Sequence, residues 1–66
     1  MARTRKIFAC ALQEHETPGA VRFIELNNDG VPIKSDEDGA LIGEFYLRKA
    51  ALPRTIPNRI AVSIEY

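Results

Sequence analysis

Near the end of the chain, Ile60, Val62, Ile64 and Tyr66 alternate with Ala61, Ser63 and Glu65. That period of two predicts a strand with one buried face. The same alternation sets Leu41, Gly43, Phe45 and Leu47 against Ile42, Glu44, Tyr46 and Arg48. The run from Val21 to Leu26 is rich in β-branched and aromatic residues, with Arg22 and Glu25 as its polar members. Earlier still, Phe8, Cys10 and Leu12 occupy one face of an apolar segment and Ile7, Ala9 and Ala11 the other.

Turn-forming residues punctuate these runs. Thr17-Pro18-Gly19 separates the first two, and Asn28-Asp29-Gly30 follows with the Asp-Gly pair that supplies the positive φ angles of a tight hairpin. Asp38-Gly39 repeats the signal after Val31 to Lys34. Five strands are predicted, near 4–13, 20–27, 31–34, 40–48 and 59–66. The third carries Pro32, which cannot donate to a ladder, so it is expected at an edge. Lys49-Ala50-Ala51-Leu52 favours a helical turn that Pro53 terminates.

The expected fold is all-β: a five-stranded antiparallel meander curled into a small SH3-like barrel, with one short helical turn before the last strand. Accumulated twist and the exposure of sheet edges favour such closure. The alternative is an open sheet completed by dimerisation. Likeness to the SH3 barrel at the level of architecture carries no function with it.

Composition narrows the setting. Sixty-six residues make one domain, spanning 1–66, and apolar (45%) and charged (27%) shares are those of an ordinary globular protein. Cys10 is the only cysteine, so no intrachain disulfide forms, and a reducing cytoplasm is expected. The apolar stretch Ile7 to Leu12 is too short for a signal-peptide core or a membrane span, so no membrane partner is expected.

Charge changes the picture more than its zero net value suggests. Residues 1–13 carry Arg3, Arg5 and Lys6 without an acid; residues 14–44 hold eight acids against Arg22 and Lys34. Residues 45–66 hold Arg48, Lys49, Arg54 and Arg59 against Glu65. Basic groups therefore gather on one side if the two ends of the chain meet.

Candidate chemistry is thin. His15 lies between Glu14 and Glu16, but a metal site needs further ligands, and neighbouring residues on a strand point to opposite faces. A calcium loop placing Gly39 sixth puts Lys34 first and Phe45 twelfth, neither of which supplies oxygen to a hard cation. Placing Gly30 sixth sets Glu25, Asn27, Asp29 and Asp36 at ligand positions, yet strands flank that loop where helices belong. Cys10, between Ala9 and Ala11, reads as a small core hydrophobe. Ser35 and Ser63 lie in no nucleophile elbow, and Gly43 reads as a bulge or close contact within a strand. No catalytic, metal or cofactor residue is predicted, and the chain is not expected to be an enzyme.

Binding remains. Several strands are apolar on both faces: Ile7, Ala9, Ala11, Ile42 and Tyr46 do not all fit inside a barrel whose other faces hold Phe8, Leu12, Phe45 and Leu47. Part of that second face is expected to meet a protein partner or a second copy. The predicted contact residues are Ile42, Tyr46, Arg48, Lys49, Arg54 and Arg59. The rival reading is a small barrel that binds single-stranded nucleic acid, stacking bases on Tyr46 beside those same cations.

Overall fold

The computed structural model describes residues 4–66. Its strands are β1 (Lys6–Glu16), β2 (Ala20–Leu26), β3 (Glu44–Arg48) and β4 (Arg59–Glu65), with a 3-10 turn at Lys49–Ala51. All pairings are antiparallel, in the order β3-β2-β1-β4. The last strand therefore returns to the first instead of to its predecessor, which departs from a sequential meander. Among the described residues β3 and β4 do not pair, so the curled sheet is a half-barrel with two edges. Its radius of gyration, 12.9 Å, exceeds the roughly 11 Å of a compact chain this long, and its extents of 41 × 28 × 18 Å are those of a single sheet with a partial cover.

The expected third strand, 31–34, is reduced to one isolated bridge between Leu26 and Pro32. Pro32 lacks an N–H; Ile33 N–H bonds Glu25 O of β2 (2.8 Å), and Asn27, just beyond β2, donates its N–H to Val31 O (2.9 Å). The fourth expected strand shortens from 40–48 to Glu44–Arg48, because residues 41–43 turn their amides to a side chain described below. β1 runs on to Glu16 through a bulge between Gln13 and His15, so Glu14-His15-Glu16 belongs to a strand rather than a loop.

Turn chemistry explains the connections. Thr17 Oγ1 both accepts from Ala20 N–H and donates to Ala20 O, each at 3.0 Å, closing the β1–β2 hairpin. Asn27 Oδ1 accepts from Asp29 and Val31 N–H at 2.9 and 3.0 Å. Only Gly30 takes positive φ there (78°), so the expected two-residue turn with both φ angles positive does not form. Leu52 N–H bonds Lys49 O at 3.1 Å, completing the helical turn expected before the last strand.

Cross-strand partners share a face. The concave face carries Ala11, Val21 and Phe23, all fully buried, with Phe45, Leu47 and Ile60 packed against them. Phe23 and Phe45 sit opposite each other with ring centroids 5.9 Å apart. Leu52 and Ile56, from the connection between β3 and β4, cover this core. The convex face carries Phe8, Cys10 and Leu12 of β1 in register with Ser63, Ala61 and Arg59 of β4.

The faces of β1 correct an expectation. Ala9 and Ala11 were expected on the partner-facing side, yet both are buried, while Phe8 and Cys10 are exposed. A curled sheet has little volume on its concave side. Small alanines there leave room for Phe23 and the covering Leu52 and Ile56, and the bulky Phe8 is turned outward.

Candidate functional site

The predicted contact residues split into two groups. Tyr46 faces Arg22 across β2–β3, and Arg22 faces His15, forming one row on the convex face. Arg48 lies opposite Ala20 on that face. Arg59, on β4, is in a row with Leu12, Ile24 and Glu44. It stands three strand spacings from β3, about 14 Å. Arg54 is exposed in the connection, and Ile42 is half-buried just before β3. The structure thus brings Tyr46 and Arg48 together with Arg22, and leaves Arg59 at the opposite edge.

Local ion pairs already engage one of these cations, Lys49, and two neighbouring ones, Arg22 and Lys6. Lys49 Nζ lies 2.5 Å from Glu16 Oε2, and Lys49 N–H bonds Gly19 O at 3.0 Å. Arg22 Nε lies 2.6 Å from Glu14 Oε1, an electrostatic contact without hydrogen-bond geometry. Tyr46 raises the Arg22 pKa most, partial burial opposes that, and Glu14 adds to the rise, so Arg22 stays charged. Across β1 and β4, Lys6 meets Glu65 at 3.2 Å. β1 and β4 bring the two ends of the described chain side by side, the condition for basic groups to gather there, but this pair neutralises part of their basic character.

Convex and edge positions also hold most of the large exposed apolar groups. Phe8 is 68% exposed, Tyr46 57% and Tyr66 67%. A shallow groove of about 790 Å³ runs past Phe8, Cys10, Leu26, Ile33, Leu41 and Ala61. Among the described residues no group of three or more His, Cys, Asp or Glu side chains is arranged to hold a metal ion. No helix of the described chain is long and apolar enough to cross a membrane.

One residue has an unanticipated role. Glu25 is only 3% exposed, and its Oε1 accepts the N–H groups of Leu41, Ile42 and Gly43 at 2.8, 2.8 and 3.0 Å. Its own N–H donates to Gly43 O at 3.0 Å. Burial pushes this carboxyl up, but the bonds from Ile42, Gly43 and Leu41 outweigh that and hold it below the usual carboxylate range. Gly43 takes φ +83°, and a Cβ there would overlap the Ser35 backbone. The glycine is thus required by a turn and a close approach. The signal in the sequence was a lone acid inside the apolar run Phe23-Ile24-Glu25-Leu26. Such an acid has to find donors or face water. It anchors the loop that leads into β3, and so places Tyr46 and Arg48.

Comparison with family models, with curated proteins and with solved structures finds no match to this chain.

Proposed function

We propose that this chain is a small, non-catalytic, cytoplasmic interaction module that binds protein, a second copy of itself included, through the convex face and free edges of its sheet. The observation supporting this most is Phe8, 68% exposed at the third position of a seven-residue ladder instead of in a loop. A phenylalanine left in water on regular structure forgoes about 1.5–3 kcal/mol that burial against a partner recovers. In this reading the half-barrel is an SH3-like arrangement left open between β3 and β4.

The second reading is binding of single-stranded nucleic acid by Tyr46, Arg48, Lys49, Arg54 and Arg59. Tyr46, exposed between Arg22 and Arg48, favours it, since bases stack on aromatics beside cations. The pairing of Lys49 with Glu16 and the distance of Arg59 count against it. Fluorescence anisotropy with labelled single-stranded DNA and RNA separates the two. The expected result is no binding even at low salt. Binding that falls steeply with added salt and is lost in Tyr46→Ala would overturn the protein-binding reading.

A further inference from the structure

Resting on that reading, we propose that β4 is a homodimerisation strand. Two copies pair antiparallel about a two-fold axis through Val62, with Arg59 of each opposite Glu65 of the other.

Hydrogen-bond parity permits this register. Arg5 and Tyr66 exchange both backbone bonds, at 2.6 and 2.9 Å, and Gln13 N–H bonds Asn58 O at 2.8 Å. In an antiparallel ladder, bonded and unbonded pairs alternate. The amides and carbonyls of Ile60, Val62 and Ile64 are therefore directed at β1. Those of Arg59, Ala61, Ser63 and Glu65 are directed at the open edge, where no described strand receives them. Pairing about Val62 sets Arg59 against Glu65 and Ala61 against Ser63, so every outward-directed group meets an outward-directed group. Val62 meets Val62, and Ile60 meets Ile64, in the closely spaced unbonded positions that suit β-branched contact.

Charge then selects this register among those that parity allows. The sequence Arg59-Ile60-Ala61-Val62-Ser63-Ile64-Glu65 is self-complementary when reversed, with opposite charges at its ends and branched apolar residues inside. Glu65 already contacts Lys6, so each end of the seam reads Lys6, Glu65, then Arg59 of the second copy, alternating in sign. Shifting the axis to Ala61 or Ser63 keeps parity but strips both charges of their opposites. The convex rows fit as well. Phe8 is in register with the small Ser63, which is followed across the seam by the small Ala61 of the second copy. The exposed phenylalanine therefore flanks the junction of a continuous sheet.

The other edge fits less well. β3 has a comparable reversal, Glu44 against Arg48 about Tyr46, but spans five residues against seven in β4. A 3-10 turn, tied back to Gly19 and Glu16, follows it immediately. If both edges paired at once, the result would be an open fibre, not a closed dimer.

The test is sedimentation of the whole chain, with thermal melts to verify folding. Wild type is expected to dimerise with a dissociation constant on the order of tens of micromolar, as a small interface gives. Arg59→Glu and Glu65→Arg each place like charges across both ends of the seam and should each weaken the dimer by about tenfold. Mixing the two variants restores both opposite-charge pairs and should recover a heterodimer near wild-type affinity. Ser63→Pro removes an outward N–H that β1 does not use, and should give a folded monomer. In a Cys10→Ser background, Val62→Cys should cross-link on oxidation, because facing unbonded positions lie about 4.5 Å apart, within disulfide reach. Ser63→Cys should not cross-link.

A folded wild type that stays monomeric at high micromolar concentration overturns the proposal. So does a dimer indifferent to Ser63→Pro and to both charge variants. The second result leaves protein binding standing through another surface, whereas salt-dependent oligonucleotide binding removes the broader reading.

Discussion

The two faces of this half-barrel are built from the same strands, yet they answer to different requirements. On the concave side, Ala11, Val21 and Phe23 are wholly excluded from water, and Leu52 and Ile56 cover them. On the convex side, Phe8 and Tyr46 are more than half exposed, with Cys10 also exposed between the ends of the sheet. Burial is deepest on the concave side, but Ile24 and Leu26 of the inner strand β2, which share the convex rows of Leu12 and Cys10, are buried as well. The concave face and the inner strand therefore set whether the chain folds, and the outer positions of the convex face and the edges are left for association.

Substitutions should separate these duties in order of size. Phe23→Ala removes the largest fully buried side chain and its stacked partner contact with Phe45. It should cost about 3–5 kcal/mol, against a total of roughly 3–10 kcal/mol for a chain of this length. In a urea titration the variant should be largely unfolded. A loss under 1 kcal/mol would mean that the concave face is not the core.

Glu25→Ala comes next, because it orphans the amides of Leu41, Ile42 and Gly43. The expected cost is about 2–4 kcal/mol, with disorder spreading into the start of β3 and detectable as faster hydrogen exchange there. Its pH dependence sharpens the point. The folded carboxyl titrates below its usual range, so its stabilisation is complete above the unfolded pKa of about 4.3 and is lost as pH falls through the depressed value. The stability gap between wild type and Glu25→Gln should therefore be widest at neutral pH and narrow towards pH 3. A gap independent of pH would mean that the carboxylate charge contributes nothing.

Gly43→Ala forces a side chain into positive φ against the Ser35 backbone, and should cost about 1–3 kcal/mol. Chemical denaturation checks it, and a neutral result would mean that the loop shifts freely. Smallest is Phe8→Ser on the convex face, expected to change stability by no more than about 0.5 kcal/mol while weakening self-association in sedimentation. A large loss of stability would show that Phe8 is held within the fold, and would erase the contrast between the faces.

The sequence by itself determined that the chain is all-β, where most strands lie, and that a helical turn precedes the last one. Alternation in 59–66 and the Lys49-Ala50-Ala51-Leu52-Pro53 run are local signals, and local backbone preference enforces them. It also placed the turns at Thr17 and Gly30, whose hydrogen bonds are made within a few residues. Which face of β1 turns inward was decided elsewhere, because the alternation of Phe8, Cys10 and Leu12 with Ile7, Ala9 and Ala11 is apolar on both sides. Only curvature, and the room Phe23 and Ile56 need, makes alanine the inward choice. Pairing of β4 with β1, the separation of Arg59 from Tyr46 and the three amides held by Glu25 join residues far apart along the chain. Apart from the lone acid in Phe23-Ile24-Glu25-Leu26, which signals a need for donors without naming them, those contacts carry no local signature, since the loop-closure entropy they oppose is repaid only once the sheet has assembled.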